Sequence, residues 1–184
     1  IRELKKDFNL VLCSTSQHKA MLNQVLNIFD IRTHYDLNIM KKNQTLFDIS
    51  KKILVKFQKV LQIENPNLVL VQGDTTTAMI SALSSFYLNI PVAHVESGLR
   101  TYNNNSPFPE EINRNIISKI SYFHFCPTSL SKKNKFKENI KKHVYITGNT
   151  IVDCLKLFEK NYEKQKFSNT LLNKYIFNSN NKII

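Results

Sequence analysis

Two glycine-rich phosphate-binding fingerprints are missing from this chain. Neither G-x-G-x-x-G nor G-x-x-x-x-G-K-[ST] occurs in its 184 residues, so the dinucleotide turn and the P-loop are both absent. Cysteine is sparse as well. Cys13, Cys126 and Cys154 are odd in number and form no C-x-x-C pair. That argues against a disulfide framework or a cysteine-based metal site, and Cys13 and Cys126 close apolar runs, as buried reduced thiols do. No apolar run approaches the roughly 18 residues of a membrane span. The opening "IRELKKDFNLVLCSTSQH" has charges first but neither a long apolar centre nor a cleavage site, so it does not read as a signal peptide. A cytoplasmic protein without membrane association is the expectation. Acids are the scarcer charge, 14 against 26 Lys and Arg, for a net charge of +12. Such a balance can serve a polyanion. However, the densest run, "KKNKFKENIKK", lacks the interleaved aromatics and glycines of a single-strand binder. Its lysines read as solvated helix faces, nucleic acid is not an expected partner, and a modest basic field suits an anionic substrate such as a nucleotide.

What is present is a hydrophobic share of 42%, too apolar for a disordered chain, and a regular alternation of patterns. "FNLVLCST" (8–15) reads as a strand and "QHKAMLNQVLNIF" (17–29) as a helix with an apolar stripe. "TLFDISKKILVKFQKVLQIE" (45–64) is a second helix, stopped by Asn65-Pro66. "LVLVQ" (68–72) is a continuous apolar run, the mark of a strand covered on both faces. A helix from the threonines to about Leu88 follows. Then come "PVAHVE", "PEEINRNIISKIS", "YFHFCPT", "SLSKKNKFKENI", "HVYITG" and "NTIVDCLKLFEKNYEK", strand and helix by turns. This pattern predicts an α/β fold with a doubly wound, parallel, Rossmann-like sheet. The expected domain spans 1–165, with 166–184 a connecting segment that opens another domain. The chain has no initiator Met, and "IRELKK" reads as the last turns of a helix already under way.

In such sheets, ligands bind outside the carboxyl ends of the strands. Three turns there carry acids. In "VLVQGDTTTA", Gly73 allows a tight exit, Asp74 stands at the edge, and Thr75 begins a helix whose N-terminus attracts anions. Taken alone, this is also an ordinary helix cap. In "HVESGLRT", Glu96, Gly98 and Arg100 lie just past the next strand. His94 and Glu96, two apart, share a strand face. Neither a third zinc ligand nor the P-C-x-x-C of a deaminase follows, so no metal is expected, and His94 reads equally well as a hydrogen-bonded core imidazole. In "NNNSPFPEEINR", Pro109 precedes Glu110 and Glu111 in a first helical turn, and Glu110 is spaced to pair with Arg114. Three acid-bearing turns from adjacent βα units exceed what capping explains. "ITGNTIVD" (146–153) is a further strand exit, equally consistent with a plain cap.

These blocks, together with "YDLNIM" and "TSQHKAML", resemble the non-hydrolysing UDP-N-acetylglucosamine 2-epimerase family from about residue 9 to the end. The resemblance implies the N-terminal half of a two-domain GT-B-like enzyme with its active site between the domains. It implies interconversion of UDP-GlcNAc and UDP-ManNAc through UDP elimination and re-addition, without nicotinamide or metal, in a homodimer. Asp74, Glu96 and Glu110 fall on the family's catalytic carboxylates. Arg114, Thr75, His94, Gly98 and Arg100 fall in its substrate-binding blocks. Gln17 and His18 match a stretch that helps bind a regulatory nucleotide sugar in some relatives. Ser97 and Gln72 depart mildly from the usual Ala and His. The family opens with a strand and a G-T-R-P-E-like turn that this sequence starts after, and continues into a T-x-H-R-R-E-like turn that it stops before. A fragment inactive by itself is therefore expected. Two alternatives stay open: a hydrolysing relative that releases ManNAc and UDP, and a non-catalytic remnant or nucleotide-binding module.

Overall fold

The computed structural model describes residues 1–16, 19–41 and 43–162. The chain forms two compact units, Ile1–Gly148 and Asn149–Ile184. Gln17, His18 and the segment 166–184 lie outside the described residues.

The first unit opens with a short helix, α1 (Leu4–Asp7), and a short parallel pair, β1 (Cys13–Ser14) and β2 (Tyr35–Asp36), joined through α2 (Lys19–Ile28). The strand expected over 8–15 shrinks to two residues. Just before it, Leu12 N–H donates to the His34 imidazole at 2.9 Å instead of to a strand carbonyl. β2 was not foreseen, although Tyr35, Leu37 and Ile39 alternate as strand residues do. Leu37 and Ile39 are buried, and their N–H groups donate to Ser14 and Thr15 carbonyls at 2.7 and 3.1 Å.

α3 (Leu46–Glu64) forms for reasons visible in its sequence. Thr45 Oγ1 accepts from Asp48 N–H while the Asp48 carboxylate accepts from Thr45 N–H, a reciprocal capping box. Ile49, Ile53, Phe57, Val60 and Leu61 recur on one face and are buried. Each such side chain stabilises the fold by roughly 1.5–3 kcal/mol. Asn65 ends the helix in the left-handed conformation, φ 41°, and Pro66 cannot continue it.

A four-stranded parallel sheet follows, ordered β3 (Val69–Gln72), β4 (Val92–Val95), β5 (Phe123–Cys126), β6 (Val144–Ile146). Helices α4 (Thr76–Tyr87), α5 (Glu110–Ile120) and α6 (Ser129–Lys137) are the crossovers that parallel pairing demands. In β4, Val92, Ala93 and His94 are all buried, which is why its sequence does not alternate. The core lies where α3, α4 and α5 pack with β3 and β4. Ile53, Ala82, Val92 and Ile117 there are essentially inaccessible.

The sheet's hydrogen bonding continues into its exit turns. Gly73 N–H donates to Val95 O, Ser97 N–H to Phe125 O, and Thr147 N–H to Cys126 O, at 3.1, 2.9 and 2.9 Å. Successive turns are thereby aligned along one edge. Separately, the edges of β1 and β3 face each other across a groove of about 420 Å³, lined by Leu10, Leu12, Phe57, Leu68 and Leu70. It reaches Gln72 and Thr75 but neither Glu96 nor Glu110.

In the second unit, Asn149 Oδ1 accepts from Ile151 N–H at 3.1 Å, and α7 (Thr150–Tyr162) follows, so the "ITGNT" turn includes a working cap. No helix among the described residues is long and apolar enough to cross a membrane.

Candidate active site

The turn after β3 carries the first acid. Gly73 takes φ +76°, a conformation that L side chains rarely adopt, and a Cβ there would lie 3.7 Å from Glu96 Oε2. Asp74 is held from α5 at two points. Asn113 Nδ2 donates to its carbonyl and Arg114 Nε to its Oδ2, both at 2.8 Å. Thr75 caps α4, its Oγ1 accepting from Ala78 N–H at 3.2 Å. The exposed Thr75 hydroxyl and the first turn of α4 stand beside the acid.

Glu96 follows β4 in the left-handed region, φ +67°, a strained choice for a residue with a side chain. Ser97 behind it is buried, and its Oγ lies 3.4 Å from His124 Nδ1. The strain turns the Glu96 carboxylate toward Gly73. Glu110, half-buried, opens α5. The side chains of Glu96 and Glu110 have no hydrogen-bond or ion-pair partner among the described residues. Two carboxylates so left, one turned toward Gly73 and one opening the helix whose Asn113 and Arg114 hold Asp74, suit proton transfer.

Three residues of the same blocks turn inward. His94 is buried, and its Nε2 donates to Gly73 O at 2.8 Å. Burial, only partly offset by that carbonyl and reinforced by Lys135, His124 and Arg100, pushes its pKa down to about 3, so the ring is neutral. Its Nδ1 is the buried side-chain atom without a partner among the described residues. His94 therefore braces the Asp74 turn, the core-imidazole alternative. Gly98 takes φ +90°, and a Cβ there would stand 2.3 Å from Ser131 O. It permits the close approach of α6. Arg100 is bound to Glu138 through Nε at 2.5 Å and a second nitrogen at 2.7 Å, with only 1% of its side chain exposed. Its guanidinium points away from the rim and is fully engaged.

The expected Glu110–Arg114 pair does not form. Arg114 binds Asp74 and, at 2.8 Å, Glu111. Adjacent residues on a helix cannot share a face, and here Glu111 takes the inward one. The sequence places Glu111 in the first helical turn without giving it a partner and does not single out Asn113; two consecutive glutamates at a helix start were the available signal. Burial raises the Glu111 pKa, but hydrogen bonds from Thr101 and Tyr102 N–H and from Arg114 outweigh it and leave the carboxyl below its usual range. The lysine run also departs from expectation. Lys135 is fully buried, with Nζ on Ser118 Oγ. Burial, helped by Arg100 and opposed by Glu138, lowers its pKa to about 7. The cysteines are free, with burial raising the Cys13 thiol to about 11. Among the described residues, no group of His, Cys, Asp and Glu could hold a metal ion.

Comparison with known proteins bears on this arrangement. A family model described as UDP-N-acetylglucosamine 2-epimerase matches residues 2–183. A UDP-N-acetylglucosamine 2-epimerase of Campylobacter jejuni is 48% identical over 190 residues, taking in 100% of this chain and 50% of that protein. The crystal structure of UDP-GlcNAc 2-epimerase from Neisseria meningitidis bound to UDP-GlcNAc superposes with a TM-score of 0.90 at 43% identity, over 97% of this chain and 49% of that one. The Methanocaldococcus jannaschii UDP-GlcNAc 2-epimerase, in complex with UDP-GlcNAc and UDP, gives a TM-score of 0.87 at 36% identity, over 95% and 48%. The chain spans about half the length of the relatives it matches.

Proposed function

Because this chain belongs to the UDP-N-acetylglucosamine 2-epimerase family, we propose that its Asp74–Glu96–Glu110 edge is one side of an active site that epimerises UDP-GlcNAc at C2 without net hydrolysis. The C1–O bond to UDP breaks as a proton leaves C2, giving a glycal. UDP then returns to C1 while a proton is delivered to the opposite face of C2. Acid and base groups must stand on both faces of the ring, and the departing diphosphate needs positive potential. One observation carries the reading: two partnerless carboxylates, Glu96 and Glu110, come from different βα units and accompany Asp74, which is oriented by Arg114. Thr75 and the N-terminus of α4 lie where an anionic group would be received. His94, Gly98 and Arg100 act on the substrate through the turns they brace. Gln17 and His18 remain candidates for regulatory nucleotide-sugar binding. The working enzyme is a cytoplasmic homodimer.

These 184 residues are proposed to supply only part of that site. The half-length match to the relatives supports this. Incubated with UDP-GlcNAc, the chain by itself is expected to give no turnover. In an intact enzyme carrying this segment, turnover in D2O is expected to yield UDP-ManNAc with deuterium at C2. Asp74→Asn, Glu96→Gln and Glu110→Gln should each lower kcat on the order of 10²–10⁴-fold, with unfolding midpoints little changed. Near-normal turnover in any one variant removes that residue. Free ManNAc as the product would move the reading to the hydrolysing alternative, and no turnover at all to the non-catalytic one.

A further inference from the structure

The two glutamates at the start of α5 divide their tasks, and the buried one reaches the site through Arg114. Glu111 Oε1 accepts from Tyr102 N–H at 3.0 Å. Its Oε2 accepts from Thr101 N–H at 3.1 Å and from an Arg114 terminal nitrogen at 2.8 Å. Arg114 Nε then donates to Asp74 Oδ2 at 2.8 Å. A guanidinium is planar, so fixing one nitrogen on Glu111 restricts where Nε points. The Glu111 side chain is 1% exposed, against 13% for Arg114 and 27% for Asp74. The order of burial therefore runs from anchor to acid.

We propose that Glu111 is a positioning residue for Asp74, acting through Arg114. It also sets the path of the Thr101–Pro109 segment that delivers Glu110, so one buried carboxylate coordinates two rim acids. Charge-assisted hydrogen bonds of this kind are the stronger ones, and a misplaced reacting group costs turnover steeply.

The test has two arms. In the 184-residue chain, the Arg114 Nε–H signal is followed by ¹⁵N NMR. It is expected to exchange slowly in the wild type, and at least about tenfold faster in Glu111→Gln, the equivalent of one hydrogen bond. Exchange within about twofold of wild type, for a bond of that worth, overturns the proposal. Should Glu111→Gln fail to fold, the wild type still decides. Arg114 Nε–H and the Thr101 and Tyr102 amides should show matching protection, and an Arg114 signal far less protected than those amides overturns the shared anchor. The second arm, which rests on the epimerase reading, uses an intact enzyme carrying this segment. Glu111→Gln should lower kcat about a hundredfold with KM little changed, and Glu111→Asp should recover part of it. An unchanged kcat refutes the effect on Asp74. If Asp74→Asn itself leaves turnover intact, Asp74 is not catalytic, and if the unmutated intact enzyme makes no UDP-ManNAc, the epimerase reading fails; in either case the NMR arm still decides the positioning role.

Discussion

Arg100 and Arg114 stand fourteen residues apart, and each binds carboxylates, yet they build opposite environments. Arg100 is sealed inside, forked onto Glu138 just past the end of α6, and also donates to Ser118 Oγ at 2.8 Å and to Leu99 O at 2.7 Å. Lys135 shares Ser118 with it, and His94 and His124 are close enough to feel both cations. This inner cluster is cation-rich, with Glu138 its one carboxylate partner among the described residues. Arg114 sits at the rim between Asp74 and Glu111. There acids are in excess and half-open to solvent. A buried charge network holds elements together and is costly to break, whereas a partly solvated one leaves protons movable. Ser118 Oγ–H donates to Arg114 O at 2.5 Å, so α5 joins the two clusters and the inner one fixes the helix that carries the outer one.

The sharpest way to break this contrast is to remove Glu138. Glu138→Ala leaves the Arg100 guanidinium buried and unpaired beside Lys135, a situation that costs about 3–5 kcal/mol. Urea unfolding followed by circular dichroism should show a lower midpoint with an unchanged slope. The change at the rim, Asp74→Asn, should shift the midpoint far less, because Asp74 is 27% exposed and outer pairs are worth about 0–1 kcal/mol. Equal losses in the two variants would erase the distinction between an inner brace and an outer working pair.

How far the sequence reveals these clusters depends on the range over which their parts interact. The helices α3 to α6 and the strands between them follow from periodicity and local caps such as Thr45–Asp48 and Thr75–Ala78, all within a few residues. The rim acids Asp74, Glu96 and Glu110 were legible because strand exits in a parallel sheet share one edge. The shortened β1 was not legible, since it depends on His34 offering its ring to Leu12 N–H across 22 positions. Nor was the inward path of Arg100, whose partner Glu138 is 38 residues away. Lys135 looked like one solvated lysine among many because periodicity identifies apolar faces, and α6 has barely one. Arg114 was placed on the helix but given the neighbouring acid, since spacing alone does not say which of two adjacent glutamates faces in.

Lys135 offers a smaller but better-signed test of the inner cluster. Its folded pKa of about 7 lies below the ordinary 10.5 of the unfolded chain. Between those values the unfolded state binds more protons, so stability should rise as pH increases from 7, by up to about 1.4 kcal/mol per pH unit. Below about 7, both states are protonated and this contribution is flat. The Cys13 thiol, raised to about 11 from 9, acts with the opposite sign above pH 9, so the comparison belongs between pH 7 and 9. Lys135→Met should remove the slope and equal or exceed wild-type stability at pH 7, since a buried amine is replaced by an apolar chain of similar size. A variant that keeps the wild-type slope would show that the amine is charged in the folded protein.

The smallest effect belongs to Thr75, where the rim meets ordinary helix chemistry. Its Oγ1 accepts from Ala78 N–H, and an N-cap threonine replaced by alanine costs about 1 kcal/mol. Thr75→Ser and Thr75→Asp both keep a capping oxygen and should hold the unfolding midpoint near wild type. They differ in charge, and that difference isolates the second role. In an intact enzyme carrying this segment, aspartate at the N-terminus of α4 would repel a diphosphate that serine tolerates, raising KM for the nucleotide sugar while stability is unchanged. If serine and aspartate give the same KM, Thr75 is a cap alone, and the anion is received elsewhere along the edge that Asp74, Glu96 and Glu110 share.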